Sequence, residues 1–405
     1  MTARRYQLRK EAVGVALRHP WIFRDHMSSA AGALHDGELL RLVDGSNRVV
    51  GHGIYEATGA IAIRMLRRGP DAPDAAWLRD QLAAAVLRRA ELATRSDAIR
   101  LVHGESDGLP AVVVDRFGET LVVSSYSAGA DALARYTAHA LGPGRLDRAR
   151  AAAAQATGRS VEPTAAIVGP ARHVVLRPVR LRQGASEPAR TLRGEPPALV
   201  SIREDGLALA VDLATGQKTG TYLDLRGLRR EVAAASLAGA RVLNLFAYSG
   251  MLGRAAEVAG ATAIVQVDAS ERALAFAAAH HVGDPARHSF VVADVFDWLP
   301  ELTGEPFDLV IVDPPAMTSK AMQVPAVLAA YRKLYRAAAR QVRPGGRLVA
   351  ACCTSRIERS VFHQTVREAL GKNFSFDREI PAEADHPIGF PQSDYLKIGW
   401  WQRTN

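Results

Sequence analysis

The second half of the sequence alternates between short apolar runs and helical segments, and this alternation restricts the chain to few folds. The apolar runs that we interpret as strands lie at 241–246, 263–268, 289–295, 308–313 and 347–353. Helices are predicted between them at 251–259, 271–281 and 325–342. A series of this kind predicts a doubly wound parallel α/β sheet. The runs carry no polar alternation, as is typical of strands covered on both faces.

The beginning of the chain has a different pattern. Residues 1–70 contain 11 Lys and Arg against 6 Asp and Glu, and short strands are predicted at 37–44, 48–56 and 60–67. This combination predicts a small, basic β-barrel, and a locally basic module is typical of phosphate binding. A solvated basic surface without a partner would have the same composition.

Residues 71–195 are predicted to form a central α+β domain. An amphipathic helix is expected at 75–94 and a hairpin at 109–127, and 173–178 is expected to be a strand. The expected domains are therefore 1–70, 71–195 and a Rossmann-like domain at 196–405. Two or three domains are consistent with a length of 405 residues.

Composition excludes several classes of protein. Hydrophobic residues make up 48 % of the chain and charged residues 23 %, which is typical of a globular protein. No apolar run approaches the length of a transmembrane helix. The two cysteines, Cys352 and Cys353, are adjacent and cannot form a disulfide framework. We therefore expect a cytoplasmic protein, and no metal-binding pattern is present.

Acidic residues at two successive strand ends indicate the cofactor. The loop 247–250 after the first strand lacks the GxGxxG pattern of dinucleotide-binding proteins. The next strand ends at Asp268, where a carboxylate can accept hydrogen bonds from ribose hydroxyls, and the third ends near Asp294, where it can accept from an adenine amino group. Two acids without a pyrophosphate loop favour S-adenosylmethionine over a nicotinamide dinucleotide.

The fourth strand ends in Asp313-Pro314-Pro315. The prolines have no N–H group and fix φ, so carbonyl oxygens and the carboxylate are expected to face the ligand. A plain turn is the alternative. Ala316 stands where methyltransferases that act on amino groups usually carry an aromatic residue, which disfavours methylation of an exocyclic amine.

The fifth strand ends in Cys352-Cys353-Thr354. Side chains alternate along a strand, so only one thiol can face the ligand. A thiolate can add to C6 of a pyrimidine and activate C5 toward methylation. Burial of both cysteines as small apolar residues is equally consistent with the spacing.

Several motifs occur in the order found in one family. HPWIF (19–23), GESDGLP (104–110), DRFG (115–118), VDLATGQKTGTYLDLR (211–226), VLNLFAYSG (242–250), VDAS (267–270), FDLVIVDPP (307–315) and DHP…YLK (385–397) follow one another. With these motifs the chain resembles the class I rRNA methyltransferases that carry an N-terminal PUA domain, the bacterial large-subunit (23S) rRNA cytosine-C5 methyltransferase family. The tract 142–195 resembles the family least, and 177–180 is basic where the family suggests an acidic residue.

The resemblance implies a role for individual residues. It places Asp268 at the ribose, Asp294 at the adenine, and Asp313 both beside the cofactor and at the target base. It makes Cys353 the nucleophile, with Cys352 directed into the core. The remaining residues that it places at the cofactor are Gln217, Lys218, Thr219, Tyr222, Phe246, Ser249 and Gly250. The residues expected on the RNA side are Arg18, His19, Trp21, Arg24, Pro314, Pro315 and His386. His386 is a candidate for the base that removes the C5 proton, although a capping or packing role is favoured.

The sequence thus predicts an S-adenosylmethionine-dependent rRNA methyltransferase that forms a covalent adduct through Cys353. Its partner would be large-subunit rRNA, naked or in an assembling particle, and a homodimer is left open. One alternative keeps the cofactor but methylates N2 or N7 of a guanine without a thiol. A second is a non-catalytic RNA-binding or ribosome-assembly factor. A nicotinamide-dependent oxidoreductase is disfavoured by the missing glycine pattern.

Overall fold

The computed structural model describes residues 3–27, 34–155, 160–177, 189–318 and 320–404. The chain divides into two compact units. The first comprises Met1–Leu223 and Ala384–Phe390, and the second comprises Asp224–Glu383 and Pro391–Asn405. Within the described ranges, no helix is long and apolar enough to cross a bilayer. The division into three domains at 70 and 195 stays a prediction.

The first unit begins with a five-stranded sheet and one helix. The strands are β1 (Arg4–Gln7), β2 (Trp21–Phe23), β3 (Leu39–Val43), β4 (Val49–Tyr55) and β5 (Ile61–Arg68), and the helix is α1 (Lys10–Arg18). The strand order is β1-β3-β4-β5-β2. The three strands predicted between 37 and 67 correspond to β3, β4 and β5. Their inward side chains form a small core with one face of α1.

A second five-stranded sheet follows, in the order β10-β9-β8-β7-β6. Its strands are β6 (Ala98–His103), β7 (Val112–Phe117), β8 (Thr120–Ser125), β9 (His173–Arg177) and β10 (Arg190–Arg193). The helices are α2 (Ala75–Leu87), α3 (Ala90–Arg95), α4 (Asp131–Ala140), α5 (Arg145–Gln155) and α6 (Ala165–Val168). The hairpin β11 (Leu199–Glu204) and β12 (Leu207–Asp212) completes the unit and was not predicted. Residues 178–180, part of the basic stretch noted above, lie outside the described residues.

The single helix predicted at 75–94 is wrong, because the chain breaks between α2 and α3. Arg89, at the break, is fully buried. Its guanidinium donates to both carboxylate oxygens of Asp107, at 2.9 and 2.6 Å, and to the carbonyl oxygen of Asp385 at 3.2 Å. A buried arginine requires this full set of partners, and a continuous exposed helix would not supply them.

The second unit contains a seven-stranded sheet in the order β15-β14-β13-β16-β17-β19-β18. Its strands are β13 (Arg241–Leu245), β14 (Ala263–Asp268), β15 (His288–Val292), β16 (Phe307–Val312), β17 (Val342–Cys352), β18 (Phe374–Glu379) and β19 (Lys397–Arg403). Its helices are α7 (Arg226–Ala233), α8 (Met251–Val258), α9 (Glu271–His280), α10 (Val295–Glu301), α11 (Val324–Arg340) and α12 (Arg359–Leu370).

The predicted doubly wound sheet is confirmed. Strands β13 to β17 are parallel, and β19 is antiparallel to both β17 and β18. The strand order reverses at β13, which lies between β14 and β16. In such sheets a ligand binds at the carboxyl ends of the strands beside the reversal.

A histidine in the first unit is held neutral by its surroundings. The Nδ1 atom of His103 lies 3.3 Å from the guanidinium of Arg100, which can only donate, and the His103 ring lies 5.1 Å from the ring of His386. Burial, with the positive charges of Arg100 and Arg89 nearby, lowers the pKa of His103 to about 2, against a smaller opposing effect of Asp385. The folded chain therefore does not protonate this ring at neutral or mildly acidic pH.

We expect this burial to make stability depend on pH. Below its ordinary pKa of 6.5, His103 binds a proton only when unfolded, so acid favours unfolding by about 1.4 kcal/mol per pH unit. From about pH 7.5 to about pH 5, wild type should lose about 2 kcal/mol more than His103→Asn in urea unfolding. His35→Asn, which removes an exposed histidine, is the control. Equal pH dependence in wild type and His103→Asn would contradict this account.

Candidate active site

The loop after β13 is held in an unusual backbone conformation. Phe246 and Tyr248 have φ of 59° and 46°, values that side-chain-bearing residues rarely adopt. The amide of Gly250 donates to the carbonyl oxygen of Ala247 at 2.8 Å, which closes the turn. Strained conformations of this kind cluster at ligand sites, and this loop lies where the strand order reverses.

Gly250 is required both by its backbone and by its packing. Its φ is 74°, and a methyl group placed on it would lie 2.6 Å from Cβ of Ala277 and 2.9 Å from Oε1 of Gln266. The neighbouring Ser249 is buried, and its carbonyl oxygen contacts Nδ1 of His281. The loop is thereby fixed against α9, and its backbone is held at the carboxyl end of β13.

Asp268 is the last residue of β14. Its carboxylate accepts hydrogen bonds from the amides of Tyr248 and Ser270, both at 2.8 Å. These two bonds fix the orientation of the carboxylate beside the strained loop. A carboxylate has about four acceptor positions, so capacity remains for the hydroxyl groups of a ligand.

The predicted strand at 289–295 is too long, because β15 ends at Val292. Asp294 is the N-cap of α10, and its side chain accepts from the amide of Phe296 at 2.8 Å. Capping ends the strand, since an N-cap residue starts the helix with its own carboxylate. Asp294 is exposed, and the ring of Phe296 lies 5.6 Å from that of Phe246 in an edge-to-face contact. The Asp294 carboxylate, a hydrogen-bond acceptor, is thus two residues from one ring of the Phe246–Phe296 pair.

The two strands that carry the predicted catalytic residues are neighbours. Strands β16 and β17 pair in parallel, with Val312 opposite Ala350. The thiol of Cys353 lies 3.7 Å from the carbonyl oxygen of Pro314, to which it donates. Pro314 is buried and Pro315 is exposed. The structure therefore brings Cys353 and the Asp313-Pro314-Pro315 turn together.

The two cysteines at the end of β17 differ in burial, as expected from the alternation of side chains along a strand. Cys352 is fully buried and belongs to the hydrophobic core of the second unit. Cys353 is half-buried. Of the two thiols, only that of Cys353 is therefore partly accessible, just after the carboxyl end of β17.

The sequence analysis missed a buried polar group behind Cys353. The hydroxyl of Thr354 lies 3.1 Å from that of Tyr331, and Nζ of Lys397 donates to the carbonyl oxygens of Thr354 and Tyr395 at 3.1 and 3.0 Å. Burial lowers the pKa of Lys397, and burial beside Cys352 raises that of Tyr331. Lys397 lies opposite Cys352 on β19, a pairing that a single sequence does not reveal.

The segment with Gln217, Lys218, Thr219 and Tyr222 belongs to the first unit. The backbone of Lys218 has a φ of 53°. Its ammonium group lies 4.2 Å from the centre of the Tyr222 ring, and the Tyr222 hydroxyl donates a hydrogen bond to Gln217. Gln217 and Lys218 are exposed, whereas Thr219 is buried and donates to Asp115. Thr219 thus anchors the segment, and its two exposed neighbours remain accessible to a ligand.

Four of the residues predicted on the RNA side lie between positions 18 and 24 of the first unit, and their exposure differs. Arg18 is exposed. Arg24 donates to the carbonyl oxygens of Gly59 and Glu56. His19 and Trp21 are half-buried with rings 5.6 Å apart, and the Trp21 indole donates to Glu105 at 2.7 Å. Arg18 is therefore accessible for a phosphate contact, whereas Arg24 is already bonded within the chain.

His386 lies in the segment Ala384–Phe390, which belongs to the first unit although it comes late in the sequence. Its ring is 5 % exposed, and Nδ1 lies 2.8 Å from the carboxylate of Asp385. The second carboxylate oxygen of Asp385 accepts from the amide of Arg100 at 3.0 Å. These contacts describe a histidine packed into a buried polar network.

The carboxyl edge of the second unit fits a nucleoside without phosphate. Asp268 offers acceptors for hydroxyl groups, Asp294 offers an acceptor beside aromatic rings, and no glycine-rich loop presents amides to a pyrophosphate. These features define a nucleoside-binding α/β domain of the class I methyltransferase kind, in which the residues fit the adenosine of S-adenosylmethionine.

Comparison with known families agrees with this class. The profile described as S-adenosylmethionine-dependent methyltransferase matches residues 142–394, and the PUA-like domain profile matches residues 8–68. The chain belongs to the family of S-adenosylmethionine-dependent methyltransferases that carry a PUA-like domain. Its cofactor is S-adenosylmethionine, and it is an enzyme, which contradicts the oxidoreductase and non-catalytic alternatives.

Relatives match over nearly the full length. A ribosomal RNA large subunit methyltransferase from Deinococcus radiodurans is 32 % identical over 403 residues, covering 95 % of this chain and 93 % of the relative. The ribosomal RNA large subunit methyltransferase I from Klebsiella pneumoniae is 32 % identical over 394 residues, covering 94 % and 93 %. A structure from Streptococcus mutans, described as a methyltransferase, has a TM-score of 0.77 at 21 % identity and covers 98 % of this chain and 100 % of that one. This last likeness shows the fold.

We predict that Asp268→Asn weakens binding of S-adenosylmethionine. The amide keeps the shape but removes the charge and half of the acceptor capacity, and a hydrogen bond to a charged group contributes about 1.5–3 kcal/mol. Isothermal titration calorimetry should show a loss of affinity of roughly tenfold or more. Asp297→Asn, an exposed position on α10, is the matched control. Equal affinities in the two variants would refute the role of Asp268.

Proposed function

We propose that this enzyme methylates C5 of a cytosine in large-subunit (23S) rRNA, in the cytoplasm, through a covalent adduct with Cys353. The observation that carries the proposal is the position of the Cys353 thiol 3.7 Å from the carbonyl oxygen of Pro314, whereas Cys352 is fully buried in the core. The printed names of the relatives, ribosomal RNA large subunit methyltransferases, support rRNA as the substrate. The PUA-like domain supports an RNA partner.

A cytosine carbon needs activation before it can accept a methyl group. The Cys353 thiolate adds to C6, and the electrons of the C5–C6 double bond make C5 nucleophilic. Bound S-adenosylmethionine supplies the electrophilic methyl group. A base then removes the C5 proton, the double bond re-forms, and the carbon–sulfur bond breaks to release Cys353. The chain's own task is to hold the base in place and to supply and recover the thiolate.

The residues around Cys353 have separate tasks in this proposal. Asp313 orients the target base through its ring nitrogen or amino edge, and the Pro314 carbonyl oxygen holds the thiol until it is deprotonated. Pro315, exposed beside them, contacts the flipped base, since C5 and C6 cannot be reached inside a stack. Lys397, buried behind the strand, contributes positive charge near the thiolate.

At the cofactor, Asp268 binds the ribose, Asp294 binds the adenine, and the loop with Phe246, Ser249 and Gly250 contacts the remainder. Gln217, Lys218, Thr219 and Tyr222 stay predicted cofactor residues, and within the first unit Thr219 anchors their segment through Asp115. On the RNA side, Arg18 contacts phosphate, and His19, Trp21 and Arg24 shape the surface that recognises folded RNA. For His386 we propose the packing role, because its Nδ1 is engaged by Asp385.

We predict that Cys353→Ala abolishes methyl transfer and leaves S-adenosylmethionine affinity within about twofold, since the thiol acts on the substrate and not on the cofactor. The measurement is incubation of the full chain with unmodified large-subunit rRNA and radiolabelled S-adenosylmethionine, followed by nucleoside analysis. Label is expected in 5-methylcytidine.

Cys352→Ala is the matched control. It removes a thiol from the core and is expected to lower stability by about 1 kcal/mol while methyl transfer persists. Label in a methylguanosine, unaffected by Cys353→Ala, would favour the guanine N2 or N7 alternative and reject the covalent mechanism.

A further inference from the structure

Three arginines of the first unit converge on the turn between α4 and α5. Arg145 and Arg148 lie in the first turns of α5, and Arg193 ends β10. A methyl group placed on Gly142 would lie 3.0 Å from Nη2 of Arg193 and 3.2 Å from Cδ of Arg145. One placed on Gly144 would lie 2.7 Å from Nη1 of Arg148. The two glycines thus leave room for the side chains of three arginines around one turn.

None of these arginines has an acidic partner among the described residues. Nη1 of Arg145 lies 2.7 Å from Nδ1 of His139, and Arg148 donates to the carbonyl oxygen of Pro143 at 3.1 Å. Asp147, the acid between them in sequence, accepts instead from the amide of Thr164 at 2.8 Å. The positive charge at this turn is therefore not neutralised within the described structure.

The opposite face of α5 shows the contrast. Arg150 lies 3.6 Å from the carboxylate of Asp80, and on α4 the exposed Arg135 pairs with Asp131. These two neighbouring arginines thus each have an acidic side chain within ion-pair distance. The three at the turn have no acidic partner among the residues that the structure describes, and Arg145 and Arg148 are exposed to solvent.

Guanidinium groups gathered in this way suit phosphate. Each presents a planar fork of N–H donors that matches two oxygen atoms, and like charges held close together repel unless an anion lies between them. Contacts to a nucleic-acid backbone need this geometry at positions spaced along a surface and carry no base sequence. The tract 142–195, which resembles the family least, contains all three residues.

We infer that Arg145, Arg148 and Arg193 form a second RNA contact surface, which binds backbone phosphates and is separate from the residues proposed at the N-terminal module. The inference rests on the proposed function, because it takes the RNA substrate as the partner. A surface of this kind positions folded RNA by shape and charge and leaves the choice of base to the active site.

Arginines near β10 could instead have a structural role, which is an alternative to RNA binding. β10 is an edge strand of the central sheet, and charged residues on an edge strand discourage pairing with another chain. Arg193 lies on that edge, whereas Arg145 and Arg148 lie on a helix and have no such task. The helix pair therefore distinguishes the two explanations.

The test is RNA binding by the full chain as a function of salt. Arg145→Gln/Arg148→Gln/Arg193→Gln should bind unmodified large-subunit rRNA at least about tenfold more weakly than wild type at low salt. The slope of log affinity against log salt should become shallower by about 2–3, because each phosphate contact contributes about 0.9. The matched control is Arg135→Gln/Arg203→Gln, two exposed arginines within reach of Asp131 and Asp97, which should leave the slope within about half a unit of wild type.

Each outcome decides the inference. An unchanged affinity and slope in the triple variant overturn it, and so does an equal loss in the control. If the triple variant aggregates, Arg145→Gln/Arg148→Gln, which leaves β10 intact, should still lower affinity and slope, and its failure to do so favours the edge-strand role. Binding is measured without turnover, so a wild type that binds RNA by this surface but transfers no methyl group would reject the proposed function alone.

Discussion

The alternation of side chains at the end of β17 decides what chemistry the second unit can perform. The strand ends at Cys352, which is buried in the core, and the next residue, Cys353, is half-buried at the carboxyl edge, as alternation of side chains predicts. Parallel pairing with β16 then places Cys353 beside the Pro314 carbonyl oxygen. A shift of one residue in this register would exchange the two thiols, and the proposed nucleophile would be buried.

Local patterns predicted the parallel sheet and its chemistry because both depend on short stretches of chain. Apolar runs identified the strands, and an acid at a strand end marks the ligand edge in any sheet of this type. The end of β15 could not be placed in this way, since Asp294 looks the same whether it ends a strand or caps a helix. The hairpin β11–β12 was missed because alternating short strands carry a weak signal beside the motifs around them.

Contacts between distant parts of the sequence lay beyond prediction. Asp385 accepts from the amide of Arg100, 285 positions earlier, and Arg89 breaks a helix to reach Asp107 and Asp385. Burial of an arginine is costly unless its donors find partners, and the sequence around Arg89 does not identify Asp107 or Asp385 as those partners. The same network anchors Thr219 through Asp115, a contact 104 positions apart in sequence, while the cofactor role of Thr219 stays a prediction.

The covalent adduct between Cys353 and the target cytosine is the central claim, and trapping it is the most direct test. In RNA that contains 5-fluorocytidine, C5 carries fluorine in place of the proton that must leave after methyl transfer. Methyl transfer should therefore proceed, but the elimination that releases Cys353 cannot occur and the carbon–sulfur bond should stay intact. We predict a protein–RNA complex that survives denaturing electrophoresis, requires S-adenosylmethionine, and is absent in Cys353→Ala. Absence of that complex with wild-type enzyme that methylates the unmodified RNA would contradict the covalent mechanism.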